Sequence, residues 1–96
     1  MHQDKFVNKS LEISSATISG VSYIYFEERK SYIELNETGS FIWKYIDGSN
    51  TVKTIIEICS SHYSNSFQQT ESFVLGFLDE MFKLDAITFS KKRYRS

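Results

Sequence analysis

The 96-residue chain has no proline and only four glycines, Gly20, Gly39, Gly48 and Gly76. No Pro- or Gly-rich linker separates two units, and the length admits a single hydrophobic core. Cys59 is the only cysteine, which excludes an internal disulfide and fits a reducing compartment. No apolar run approaches the ~18–20 residues of a membrane span. The polar stretch from Met1 to Leu11 lacks the apolar region of a secretory signal. These absences point to a soluble cytoplasmic protein with no membrane partner.

Chemistry is equally scarce. His2 and His62 are the only histidines, and neither has a Cys or His at ligand spacing, so no metal is expected. No Gly-rich phosphate loop and no nucleophile elbow is present. The chain is expected to be no enzyme and to carry no cofactor. Eleven Lys and Arg against twelve Asp and Glu give a net charge of −1, with no electrostatic call for a polyanion.

What remains is a chain rich in aromatic residues, 16% of the total, and able to bury a core. Residues 1–10 are polar and expected to be loose. Leu11 to Ile18 alternates imperfectly as a weak strand. Val21 to Phe26 is a stronger one, with Val21, Tyr23 and Tyr25 on one face and Ile24 and Phe26 on the other. The charged "EERK", residues 27–30, reads as a hairpin turn, after which Ser31 to Leu35 returns as a third strand.

Asn36 then caps a first helix, with Glu37 in its first turn and Gly48 placed to end it. Thr51 caps a second helix, whose apolar stripe is Val52, Ile55, Ile56, Cys59 and Tyr63. "SFQQ", residues 66–69, has the form of a capping box for a third helix reaching about Leu84. Ile87 to Phe89 can add a short strand. The basic "KKRYRS" reads as a solvated tail over 91–96, leaving 11–90 as the domain. The fold class is α+β, a three-stranded antiparallel sheet followed by three helices. Such an order also fits a winged helix-turn-helix.

That alternative raises DNA binding, but a recognition helix normally carries basic residues. The third helix instead carries Glu71, Asp79 and Glu80 against Lys83. No nucleic-acid partner is expected.

The third helix is also unusually apolar. At about 100° per residue, Phe77, Leu78 and Met81 cluster with Val74 as one stripe. Phe73 and Leu84 fall on one flank, Leu75 and Phe82 on the other, widening the arc to roughly 200° against the ~100° a surface helix needs. Either this helix is packed from several sides, or one flank lines a groove with Glu80 at its rim. Were the third strand at a sheet edge, the backbone of Ser31 to Leu35 would stand open beside that flank. Such an edge suits an extended peptide added as another strand, or a second copy of the chain.

"ELNETGSFIWKYIDG", "TVKTIIEICSSHY" and "FVLGFLDEMFKLDAI" together resemble the PqqD-like family of precursor-peptide recognition elements, from about Val21 to Ile87. The resemblance rests on Leu35-Asn36-x-Thr38-Gly39 with Ile42-Trp43 and Asp47-Gly48, then on Thr51-Val52, Ile55 and Ile56. It closes on Val74, Phe77-Leu78, Met81 and Ile87. It implies a winged-helix-like fold that binds the leader of a ribosomal precursor as an added β-strand. The bound precursor is presented to a modifying enzyme, a radical SAM maturase or a lasso-peptide leader peptidase. The motif Leu35-Asn36-Glu37-Thr38-Gly39 looks more like members serving radical SAM enzymes.

By position, the implied binding residues are Ser31, Tyr32, Ile33, Glu34 and Leu35 from the strand. Phe73, Phe77, Glu80, Met81 and Leu84 come from the helix, with Phe77 and Met81 open between groove and core. Asn36, Gly39, Trp43 and Gly48 are assigned structural roles. One departure is Asp85, near which the family often has Gly.

Overall fold

The computed structural model describes residues 3–92, so His2 and the tail over 93–96 lie outside it. Eight elements follow one another: β1 (Phe6–Lys9), β2 (Ile13–Ile18), β3 (Val21–Phe26), β4 (Ser31–Glu34), α1 (Glu37–Trp43), α2 (Val52–His62), α3 (Phe67–Lys83) and β5 (Ile87–Ser90). Strands β2, β3 and β4 form an antiparallel sheet in that order, and β1 pairs with β5 in a separate antiparallel ribbon. The fold is α+β, with three helices following the three-stranded sheet.

Alternation along β3 sets the inner face of the sheet. Ser22, Ile24 and Phe26 are buried, while Tyr25 is exposed and Tyr23 half-buried. Ile24 and Phe26 meet a helical core made of Ile42 and Trp43 from α1, Ile46 beyond it, Val52, Ile55, Ile56 and Cys59 from α2, and Val74, Leu78 and Met81 from α3. Burial of this apolar surface is the main force holding sheet to helices.

The caps form as the sequence suggests. The Asn36 side chain accepts from Gly39 N–H at 2.8 Å, and Thr51 Oγ1 accepts from Thr54 N–H at 3.1 Å. Ser66 and Gln69 complete a reciprocal capping box at the start of α3. At its other end, Asp85 takes the left-handed conformation, φ 63°. Its N–H donates to Phe82 O and that of Ala86 to Met81 O, so Asp85 closes the helix where glycine is commonest.

Three expectations are corrected. Residues 1–10 are not loose throughout, because Phe6–Lys9 is a strand in register with β5, Val7 opposite Phe89. Val7 is fully buried, and its N–H and C=O bond Asn50 O and Gly48 N–H, so β1 also holds the loop before α2. Helix α1 ends at Trp43, one turn earlier than the sequence suggests. Gly48 therefore does not terminate it but takes φ 83° in the loop that follows. Tyr63 lies just past the last turn of α2 as its C-cap, although it packs half-buried against the same core as the stripe.

Candidate functional site

Strand β4 lies at an edge of its sheet, with β3 on one side only. Ile33 sits opposite Ile24 and Tyr32 opposite Tyr25. Beyond the strand, Leu35 N–H donates to Ser22 O at 2.8 Å. Hydrogen-bonded pairs alternate along an antiparallel ladder, so Ile33 and Ser31 also turn their backbone groups inward to β3. The N–H and C=O groups of Tyr32 and Glu34 then point outward from the edge. The available ladder is thus narrower than the whole run from Ser31 to Leu35.

The sheet releases the chain into α1 through a side-chain relay. Ser40 Oγ accepts from Ser22 N–H at 2.9 Å and donates to Leu35 O at 3.3 Å, standing where the next ladder bond would be. Both serines are buried. With the Asn36 cap, this fixes the abrupt strand-to-helix junction. Nothing in the sequence distinguishes Ser40 from an exposed helix serine.

Between β4 and the C-terminal half of α3 runs an open pocket of about 440 Å³. Ile33, Glu34, Leu35 and Asn36 form one wall; Phe77, Glu80, Met81, Lys83 and Leu84 form the other. At one end Arg29 donates to Leu84 O at 2.6 Å while its guanidinium lies 4.3 Å from the Phe26 ring centre. That contact ties the β3–β4 turn to the end of α3. At the other end Phe77 reaches Gly39, where an added Cβ would lie 2.9 Å from the ring.

Seven of the ten residues expected from the sequence line this pocket: Ile33, Glu34, Leu35, Phe77, Glu80, Met81 and Leu84. Met81 is only 3% exposed and Phe77 half-buried, so both serve core and pocket at once. Ser31 and Tyr32 are on β4 but outside the lining, and Tyr32 stands on the opposite sheet face with its ring 6.4 Å from that of Tyr23. Phe73 lies elsewhere, edge-on to Tyr63 at 6.0 Å. Asn36 and Lys83 line the pocket and were not expected to.

The lining is apolar at its base and charged at its rim. Lys83 Nζ is 2.9 Å from Asp79 Oδ2, an i,i+4 pair that takes up its charge. Glu80 on α3 is an exposed carboxylate, as is Glu34, whose side chain belongs to the outer sheet face with Tyr32. Among the described residues no group of three or more His, Cys, Asp or Glu is placed to hold a metal ion, and no helix is long and apolar enough to cross a membrane. Burial pushes the Cys59 thiol up to about 11, so it stays protonated at neutral pH.

The sequence pattern of the family described as Coenzyme PQQ synthesis protein D (PqqD) matches residues 23–87, about two thirds of the chain. The chain belongs to the PqqD family. That match begins in β3 and ends on the first residue of β5, so it takes in both walls of the pocket. Two solved structures share the fold. One is TbiB1 in complex with the TbiA(beta) leader peptide, with TM-score 0.79 and 19% identity, covering 93% of this chain and 99% of that one. The other is lasso peptide synthetase B1 complexed with the leader peptide, with TM-score 0.76 and 15% identity, covering 85% and 96%. No match was found among curated protein sequences.

Proposed function

We propose that this PqqD-family chain is a non-catalytic recognition element that binds the leader of a ribosomal precursor peptide and presents it to a separate modifying enzyme. The observation that carries this reading is an open strand edge, β4, lying directly beside a pocket with an apolar base. Outward backbone groups of Tyr32 and Glu34 supply a ladder for an extended peptide, and Ile33, Phe77, Met81 and Leu84 receive its alternate side chains. The two structural neighbours are B1-type proteins seen with leader peptides, which supports the same use of this fold.

The sheet and helices form a winged helix-turn-helix-like scaffold used for peptide rather than DNA, in keeping with the acidic residues Glu71, Asp79 and Glu80 on α3. The motif Leu35-Asn36-Glu37-Thr38-Gly39 favours a radical SAM maturase as recipient, with a leader peptidase as the alternative. Copurification with each enzyme class separates the two. The site of action is the cytoplasm, where the precursor is made.

Leader segments of short precursors encoded beside the gene are the peptides to titrate. Leu84→Asp places a carboxylate in the apolar base and should weaken leader binding by about tenfold or more with circular dichroism unchanged. Unchanged affinity in a folded Leu84→Asp protein would remove the groove assignment. A second copy could occupy the same edge, so any self-association should fall as leader is added.

A further inference from the structure

Resting on the leader-binding reading, we infer that β4 reads its peptide on both faces of the added strand, with Tyr32 and Glu34 selecting the residues on either side of the buried anchor. Tyr23, Tyr25, Tyr32 and Glu34 share the outer face of the sheet, because Tyr23 stands opposite Glu34 and Tyr25 opposite Tyr32. Ile33 belongs to the inner face, half-buried against the core. A peptide residue opposite Ile33 therefore directs its side chain inward to Phe77, Met81 and Leu84. Its two immediate neighbours must project from the opposite face, because successive residues of a strand alternate.

Those neighbours come to lie beside Tyr32 and Glu34. Tyr32 is 68% exposed, with its ring tilted at 53° to Tyr23, and offers a bare aromatic surface. Aromatic and β-branched side chains are its favoured cross-strand partners. Glu34 is exposed, and the nearby cation Lys83 is engaged by Asp79 on α3. A lysine or arginine is therefore favoured opposite Glu34. The peptide class is an apolar anchor with a basic residue directly on one side and an aromatic or β-branched residue directly on the other. If the peptide adds antiparallel to β4, the basic residue precedes the anchor; if parallel, it follows. Glu80 projects from α3 on the pocket side, so selection by Glu80 would instead place the basic residue two positions from the anchor.

The probe is a displayed library of random peptides about ten residues long. Sequences bound by the wild-type protein, aligned on the apolar anchor, should favour Lys or Arg over Asp or Glu at one adjacent position by about two- to fivefold. Glu34→Lys should reverse that preference and Tyr32→Ser should erase the aromatic preference at the other neighbour, with the anchor kept in both. An anchor with indifferent neighbours, a charge preference unmoved by Glu34→Lys, or one lying two residues away would overturn the inference while leaving leader binding intact. A wild-type selection with no anchor, or one that Leu84→Asp does not alter, would instead remove the leader-binding reading and the inference together.

Discussion

Gly39 shows how a motif residue can shape a pocket without lining it. It is a buried residue of α1 whose N–H donates to Asn36 Oδ1, and it needs no unusual φ. What it supplies is room. A Cβ there would sit 2.9 Å from Phe77 Cε1 and 3.2 Å from Asn36 Oδ1, and Phe77 forms one end of the pocket. Alanine favours a helix by up to about 1 kcal/mol over glycine, which offsets the crowding in part. Gly39→Ala should therefore change stability by no more than about 1 kcal/mol in denaturant titrations. Leader affinity should nonetheless fall by about tenfold, because the displaced ring intrudes on the pocket. Equal affinity for wild type and variant would show that Phe77 does not set the pocket's shape. The sequence carries the glycine and the phenylalanine 38 positions apart, and periodicity alone gives no sign that they meet.

At the scale of elements, hydrophobic periodicity found β3 and all three helices, because each has several residues of one face committed to the core. It found β2 and β4 by alternation, although only Ile13 and Ile33 on them are half-buried. The wide apolar arc of α3 resolves into separate contacts. Phe82 meets Phe89 of β5 at 5.3 Å, Phe73 meets Tyr63, and Leu84 is left to the pocket. Packing from several sides thus accounts for Phe82 and Phe73, and the flank expected to line a groove splits, with Leu84 in the pocket and Phe73 outside it. What periodicity could not give was the direction of each backbone bond on β4, which follows from the register with β3. That register separates three proline variants. Ile33→Pro removes a donor that faces β3 and should lower thermal stability strongly. Tyr32→Pro and Glu34→Pro remove outward donors, so they should leave the β3–β4 ladder largely intact and weaken the leader complex instead. Thermal melts and leader titrations on the same three proteins check this. A melt of Glu34→Pro as low as that of Ile33→Pro would refute the assigned register.

Across the whole molecule, the least legible element was β1, whereas its partner β5 was expected as a short strand over Ile87 to Phe89. Four residues with one buried side chain, Val7, carry no detectable period, and the partner strand lies about eighty positions away in sequence. Yet the segment from Gln3 through β1 joins three regions. Val52 N–H donates to Lys5 O at 3.0 Å and Lys53 N–H to Gln3 O at 2.9 Å, while Gln3 Nε2 reaches Glu71 Oε2 at 2.7 Å. Lys9 lies 5.0 Å over the ring of Trp43, which gives that buried motif residue the neighbour its position in α1 left unspecified. Burial lowers the pKa of Lys9, and Asp47 opposes that shift. A boundary at residue 11, natural from composition, would cut away this strand and expose Val52, Ile87 and Trp43. Val7→Ala alone should cost about 2 kcal/mol, and the 11–90 fragment more. Cys59 gives a direct readout, since its thiol is buried and its pKa is raised to about 11. At neutral pH a thiol reagent should modify it in the intact chain only as fast as the core opens, and faster in Val7→Ala. The 11–90 fragment should react faster still. Equal labelling rates in all three would mean that β1 contributes nothing to the core, and that the domain does begin where its polar N-terminal segment ends.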